Sequence, residues 1–221
     1  MPDVPQPALV IMLHGVGSNG ADLEPLGRFW QAVLPGAMFV SPDAPEPFDQ
    51  VPPGQIPPDM AGAGARAFQW FSIGAISPDD RARRLAAARS GFDRLITAII
   101  ADHGFTDRHD RVALVGFSQG SMMLLDAIAS GRWTVGAGIA FSGRLVTPDP
   151  LTPGSTPLLL IHGEADPVVP ADETRQAARR LHAAGADVTA GLEPGLVHTI
   201  SQAGAAEAGR FLARHLGPAS A

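Results

Sequence analysis

A chain of 221 residues that is 45% apolar and 17% charged has the length of one domain and enough apolar material for a sizeable core, and its net charge of −6 argues against a nucleic-acid platform, which needs a basic stripe against phosphates. The absence of cysteine excludes a thiol nucleophile, a disulfide framework and thiolate metal sites. All 16 basic residues are arginine, so a P-loop lysine, a Schiff-base lysine and a Ser–Lys dyad are excluded too, although the same bias arises from GC-rich coding.

Residues 1–7 form an N-terminal extension with no cationic region and no long apolar run. Neither a signal peptide nor a membrane span is expected there, and a cytoplasmic, soluble protein is. Residues 8–13 predict a buried strand. Turn signals follow, then a helix with Leu26, Phe29, Trp30 and Val33 on one face. Residues 37–40 predict a second strand. The long loop 42–67 has seven prolines and three glycines, and its Phe48, Val51, Ile56 and Met60 give it more apolar content than a linker carries. A loop of this length in a compact domain is usually functional, and this one is expected near the active site. Ser77-Pro78-Asp79-Asp80 reads as a helix start, with a capping serine, proline at the first position and acids in the first turn. The helix it opens spaces Leu85, Phe92, Leu95, Ile96 and Ile99 by threes and fours. Strands are predicted at 111–115, 137–141, 158–161 and 188–190, and helices at 119–129, 171–184 and 201–216. Gly204 and Gly209 weaken the last of these. Strands alternating with helices mean βαβ units, hence an α/β protein with a mainly parallel sheet and helices on both faces. No repeat or linker divides it, so 1–221 is read as a single domain.

The most informative motif is Gly116-Phe117-Ser118-Gln119-Gly120. It matches G-x-S-x-G with a strand before it and a helix after it, the context a nucleophile elbow requires. The glycines let the backbone fold back sharply, which exposes the serine Oγ at the edge of the sheet, beside the N–H groups of a helix start. A chance match in a glycine-rich chain would lack that context. Ser118 needs a base, and the seven histidines are the candidates. His103 and His109 fall in a polar turn, and His182 and His215 within helices. His14, His162 and His198 each follow a strand, where loops converge on one site. The order Ser…Asp/Glu…His leaves room for an acid only before His198. Asp166, after the strand ending near His162, is the preferred acid, with Glu164 its rival. Asp172 and Glu173 read as first-turn acids of the next helix. The glycine-rich turn His14-Gly15-Val16-Gly17 supplies an oxyanion donor, so the backbone N–H groups of Val16 and Gln119 are the expected pair. A phosphate-binding loop would need a third glycine at the right spacing. A metal site built on His14, His162, His198 and Asp166 would leave the elbow unexplained.

Leu13-His-Gly-Val-Gly17, Trp70-Phe71, Gly116-Phe-Ser-Gln-Gly120, His162-Gly-Glu-Ala-Asp166-Pro-Val-Val-Pro170 and His198 occur in that order. Together they resemble the phospholipase/carboxylesterase family of small α/β-hydrolases, which includes the acyl-protein thioesterases. The resemblance runs from about residue 8 to residue 216. It implies an α/β-hydrolase fold without a large cap domain, and a serine esterase with Ser118, Asp166 and His198 as its triad. No cofactor and no metal are implied. It also implies a shallow acyl site with Trp70 beside it, and Phe71, His14 and Met60 are the further candidates for contact with substrate. The expected partner is a small-molecule or lipid-like ester of short to medium acyl length; the expectations include no nucleic acid and no integral membrane segment, and a homodimer as a candidate assembly. A thioesterase or lysophospholipase would use the same machinery, and a non-catalytic binding protein would normally lack a triad member. Ser72 and Ser121 depart from the residues common in the family.

Overall fold

The computed structural model describes residues 7–49 and 67–217. The first six residues of the N-terminal extension and most of the proline-rich loop, with Val51, Ile56 and Met60, lie outside them. Six strands form a parallel sheet in the order β2-β1-β5-β6-β7-β8: β1 Leu9–Leu13, β2 Met38–Val40, β5 Val112–Phe117, β6 Ala137–Phe141, β7 Leu158–Gly163 and β8 Val188–Glu193. Two further short strands, β3 Glu46–Pro47 and β4 Phe68–Gln69, pair antiparallel as a separate ribbon. Strands of two residues have no alternation to read, and this ribbon was not foreseeable from pattern.

Alternation along each central strand sends side chains to both faces. Leu9, Ile11 and Leu13 join the core under α2 Pro78–Asp102, α3 Gln119–Ala129 and α4 Asp172–Ala183. Val10 and Met12 join the core under α1 Glu24–Trp30 and α5 Gln202–Leu216. Both faces are therefore covered, as continuous apolar strands demand. Among the described residues no helical cap stands over the carboxyl ends of the strands, and no helix is long and apolar enough to cross a membrane.

The start of α2 is as its sequence predicts. The Ser77 hydroxyl accepts from the Asp80 N–H and the Asp80 carboxylate accepts from the Ser77 N–H, with Pro78 at the first helical position. The expected core face of α1 is corrected. Trp30 is buried and Leu26 packs against the core as expected, but Phe29 and Val33 stand 44% and 46% exposed, and Leu23, Gly27 and Leu34 complete the buried stripe. The helix ends at Trp30, and its Nε1–H donates to the Ala205 carbonyl at 2.7 Å, fixing the rotation of α1 against α5. The glycines that weakened α5 in sequence prove to be close contacts. A Cβ on Gly204 would come within 2.5 Å of Glu193 Oε1, and one on Gly209 within 2.9 Å of Trp30 Cδ1.

Candidate active site

In an open parallel sheet the crevice forms where neighbouring strands send their connections to opposite sides. Here that place lies between β1 and β5, since the chain leaves β1 towards β2 on one side and meets β5 on the other. The turns after β1 and β5 therefore face each other, and the register pairs Leu13 with Gly116. Ser118 is the first residue past β5, and α3 begins at the next.

Its backbone, at φ 52° and ψ −113°, occupies a region that costs a non-glycine residue about 1–3 kcal/mol. The glycines on each side are required by space. A Cβ on Gly116 would sit 2.5 Å from the Ser121 nitrogen, and one on Gly120 would sit 2.1 Å from the Leu13 carbonyl oxygen. The end of β1 thus presses directly on the first turn of α3. Ser121 answers its departure from the family pattern: its buried hydroxyl lies 2.7 Å from the Gly116 carbonyl and 2.8 Å from that of Phe141, tying the elbow to β6.

Three side chains from three post-strand turns meet. His198 Nε2 is 3.0 Å from Ser118 Oγ, and His198 Nδ1 is 2.6 Å from Asp166 Oδ2. An acid on the Nδ1 side assigns that nitrogen the proton, which leaves Nε2 to accept from the serine hydroxyl. Asp166 Oδ1 accepts the N–H groups of Val168 and Val169 at 2.8 and 2.9 Å. Burial alone would raise the Asp166 pKa, but the bonds from His198, Val169 and Val168 outweigh it and hold the carboxyl below its ordinary value. Glu164 is half-exposed and pairs with Arg175 at 3.2 Å.

His162 and His14 are committed elsewhere. The Thr174 hydroxyl donates to His162 Nδ1 at 2.7 Å, so Nε2 donates to the Val169 carbonyl at 2.8 Å and stands 3.2 Å from Asp166 Oδ2. This fully buried ring props the turn that carries the acid. Ala44 N–H donates to His14 Nε2 at 2.9 Å, and His14 Nδ1 donates to the Gly15 carbonyl at 2.7 Å. Burial pushes the His14 pKa down, against smaller opposing effects of Gly15, Asp43 and Asp22, and favours the neutral ring these bonds need.

Trp70 and Phe71 are each 2% exposed. Trp70 Nε1–H donates to the His14 carbonyl at 2.9 Å. The Gln119 side chain accepts from Trp70 N–H at 2.8 Å and donates to the Phe71 carbonyl at 2.6 Å. Sequence pattern marks Gln119 for its backbone alone, and its side-chain role was missed; a lone amide at the buried start of an apolar helix was the available signal. Among the described residues, the backbone N–H groups of Val16 and Gln119 have no protein acceptor. The second is one of the donors that every helix start leaves unsatisfied. Together the parts amount to an activated hydroxyl, an oriented imidazole and a helix N-terminus, which is the equipment of acyl transfer.

Known proteins share this arrangement of chain. The sequence model of the family described as Phospholipase/Carboxylesterase matches residues 1–216. Esterase YpfH of Escherichia coli is 31% identical over 199 residues, covering 90% of this chain and 79% of its own. Acyl-protein thioesterase 1 of Gibberella zeae is 28% identical over 228 residues, covering 96% and 92%. Among solved structures, esterase PE8 superposes with a TM-score of 0.81 at 33% identity, over 96% of this chain and 98% of that one.

Proposed function

The chain belongs to the phospholipase/carboxylesterase family and is a carboxylesterase of the serine-hydrolase type, and from that premise we propose that Ser118, His198 and Asp166 are its catalytic triad. The observation that carries the reading is the unbroken chain of hydrogen bonds from Ser118 Oγ through His198 to Asp166.

Ser118 Oγ attacks the ester carbonyl as His198 Nε2 takes its proton. Asp166 holds the imidazole in the required tautomer and stabilises its charged form. The Val16 and Gln119 N–H groups receive the oxyanion, each contributing about 3 kcal/mol to the transition state. His198 then passes the proton to the departing alcohol, and the acyl group stays on Ser118. Water, deprotonated by the same ring, attacks the acyl-enzyme and releases the acid.

Ser118→Ala tests this directly. Turnover should fall by about a million-fold, because the triad acts as a unit, while the fold is retained. An organophosphonate should label wild-type Ser118 and leave the variant unmarked by mass spectrometry. A purified variant that keeps several per cent of activity would overturn the serine mechanism.

The proposal extends to esters of short to medium acyl length, small-molecule or lipid-like, met in the cytoplasm. The limit on acyl length is supported by the absence of a helical cap over the strand ends among the described residues. Each methylene that the site buries should add up to about 0.8 kcal/mol until the pocket ends. Measured kcat/KM for acetyl to palmitoyl oxygen esters and thioesters should peak before the longest chains. An optimum at palmitoyl thioesters would favour the activity named for the Gibberella zeae relative.

A further inference from the structure

A groove lies beside Ser118 on the side of the sheet covered by α1 and α5: Phe117, the residue before it, borders the groove, as does Gly15, where a Cβ would stand 3.4 Å from the Ser118 Cβ. Its inner part, about 240 Å³, is bordered by Gly15, Ser18, Phe117 and Thr199. Its outer part, about 280 Å³, runs over Leu26 and Phe29. Asp22, Leu23 and Ile200 border both parts, which therefore adjoin.

Reaction geometry says which half of the ester belongs there, given the triad proposed above. The tetrahedral carbon has four substituents. One is Ser118 Oγ, and one is the oxyanion at the Val16 and Gln119 N–H groups. The departing oxygen must lie within hydrogen-bond reach of His198 Nε2, because that ring protonates it. The His198 ring lies 4.9 Å from that of Phe117, centroid to centroid, and Thr199 follows it in the chain. Phe117 and Thr199 are the inner wall of the groove. The departing alcohol therefore points into the groove, and the acyl chain takes the fourth direction.

The groove has one sign of charge. The Asp22 carboxylate accepts from the Ser18 hydroxyl and has no arginine partner among the described residues. Asp43 stands close by, its Oδ1 accepting the Gly20 N–H at 2.8 Å. No arginine borders either part, and lysine is absent from the chain. Leu23, Ile200, Leu26 and Phe29 give the floor an apolar surface. We propose that this groove holds the alcohol half of the ester, and that Asp22 selects alcohols carrying an alkylated ammonium group.

Three butyrate esters differing only in the alcohol test the assignment: trimethylammonioethyl, its uncharged tert-butylethyl isostere, and carboxyethyl. The expected order of kcat/KM is cationic, neutral, anionic. An exposed carboxylate should give the cation an advantage of roughly two- to five-fold at low salt, shrinking towards one as salt screens the pair. Asp22→Asn should flatten the order and Asp22→Arg should invert it. Asp172→Asn, at the exposed start of α4, should leave it intact. Circular dichroism establishes that the variants fold, and the salt dependence of the wild-type ratio needs no variant. Equal rates for all three esters in the wild type, or an order unchanged in both Asp22 variants, would overturn the proposal. Failure of the serine mechanism looks different: Ser118→Ala would keep its activity on all three esters, and Ser118 would escape the phosphonate.

Discussion

At the scale of single residues, the two acids after β7 separate cleanly. Asp166 is buried against His198, whereas Glu164 is half-exposed on Arg175. Asp166→Asn should lower kcat by about four orders of magnitude, since the amide cannot hold the imidazole in the required tautomer. Glu164→Gln should leave activity near wild type and stability within about 0.5 kcal/mol. Reversed effects would hand the role to Glu164. Both acids were legible as candidates, because each follows a strand in the stretch before His198. Their ranking rested on position and on the family resemblance of the 162–170 motif, whereas the physically discriminating facts are contacts that no spacing encodes. The same holds for His162: its place after β7 is readable, but its bond to Thr174, twelve positions on, appears only once α4 has packed against the sheet.

Among elements, the junction of β5 and α3 is where packing tolerates least. Gly120→Ala would drive a methyl group into the Leu13 carbonyl, 2.1 Å away, and neither backbone can yield without moving β1 or α3. A loss of several kcal/mol is expected, enough to leave little folded protein at ordinary temperature, and thermal unfolding would measure it. Gln119→Leu probes the same place more gently. It keeps the backbone N–H but leaves the Trp70 N–H and Phe71 carbonyl buried without partners, for a cost of about 2–4 kcal/mol. A change in melting temperature with kcat preserved in the folded fraction is the expected pattern. The helices α2 and α3 were readable because one carries a full set of start signals and the other a strong apolar run bounded by the elbow. The face of α1 was not. Its seven residues are too few for periodicity to fix the rotation, and the deciding contact is Trp30 with Ala205, 175 residues away.

For the whole molecule, the strand order could not be read from alternation, yet the site could. In a parallel sheet every strand ends at the same edge, so residues that follow β1, β5, β7 and β8 lie on that edge whatever the order, and their loops can converge on one site. The buried charges set the response of the fold to acid. Burial lowers the His14 pKa, so between the ordinary histidine value of about 6.5 and that lower value the unfolded chain binds the additional proton. Stability is complete above about pH 6.5 and falls as pH drops through that window. Asp126 adds a second stage. Burial opposes its ionisation, but bonds from Arg89, Thr147 and Arg132 prevail and depress its pKa. Its contribution is present above about pH 3.9, the unfolded value, and is lost as pH falls through the folded one. Denaturant midpoints between pH 7 and pH 3 should show both stages. Asp166, also held below its ordinary value, shares the lower stage, so Asp126→Asn should diminish that stage and cost about 3 kcal/mol at neutral pH.

The small ribbon of β3 and β4 has a bearing on how such a protein can diversify. Phe48 N–H bonds the Ala67 carbonyl at 2.9 Å, and Glu46 and Pro47 pair with Gln69 and Phe68. The two ends of the segment between are thereby clasped side by side, and the clasp leads straight into Trp70 and Gln119. Once its ends are fixed, a connection can double in length for only about 0.6 kcal/mol of closure entropy. The clasp therefore fixes where the connection leaves and rejoins the described chain, so a change in the length of that connection should leave the clasp, and Ser118 behind it, in place. Grafting the corresponding stretch of a relative between Asp49 and Ala67 should transfer acyl preference while phosphonate labelling of Ser118 stays at the parent rate.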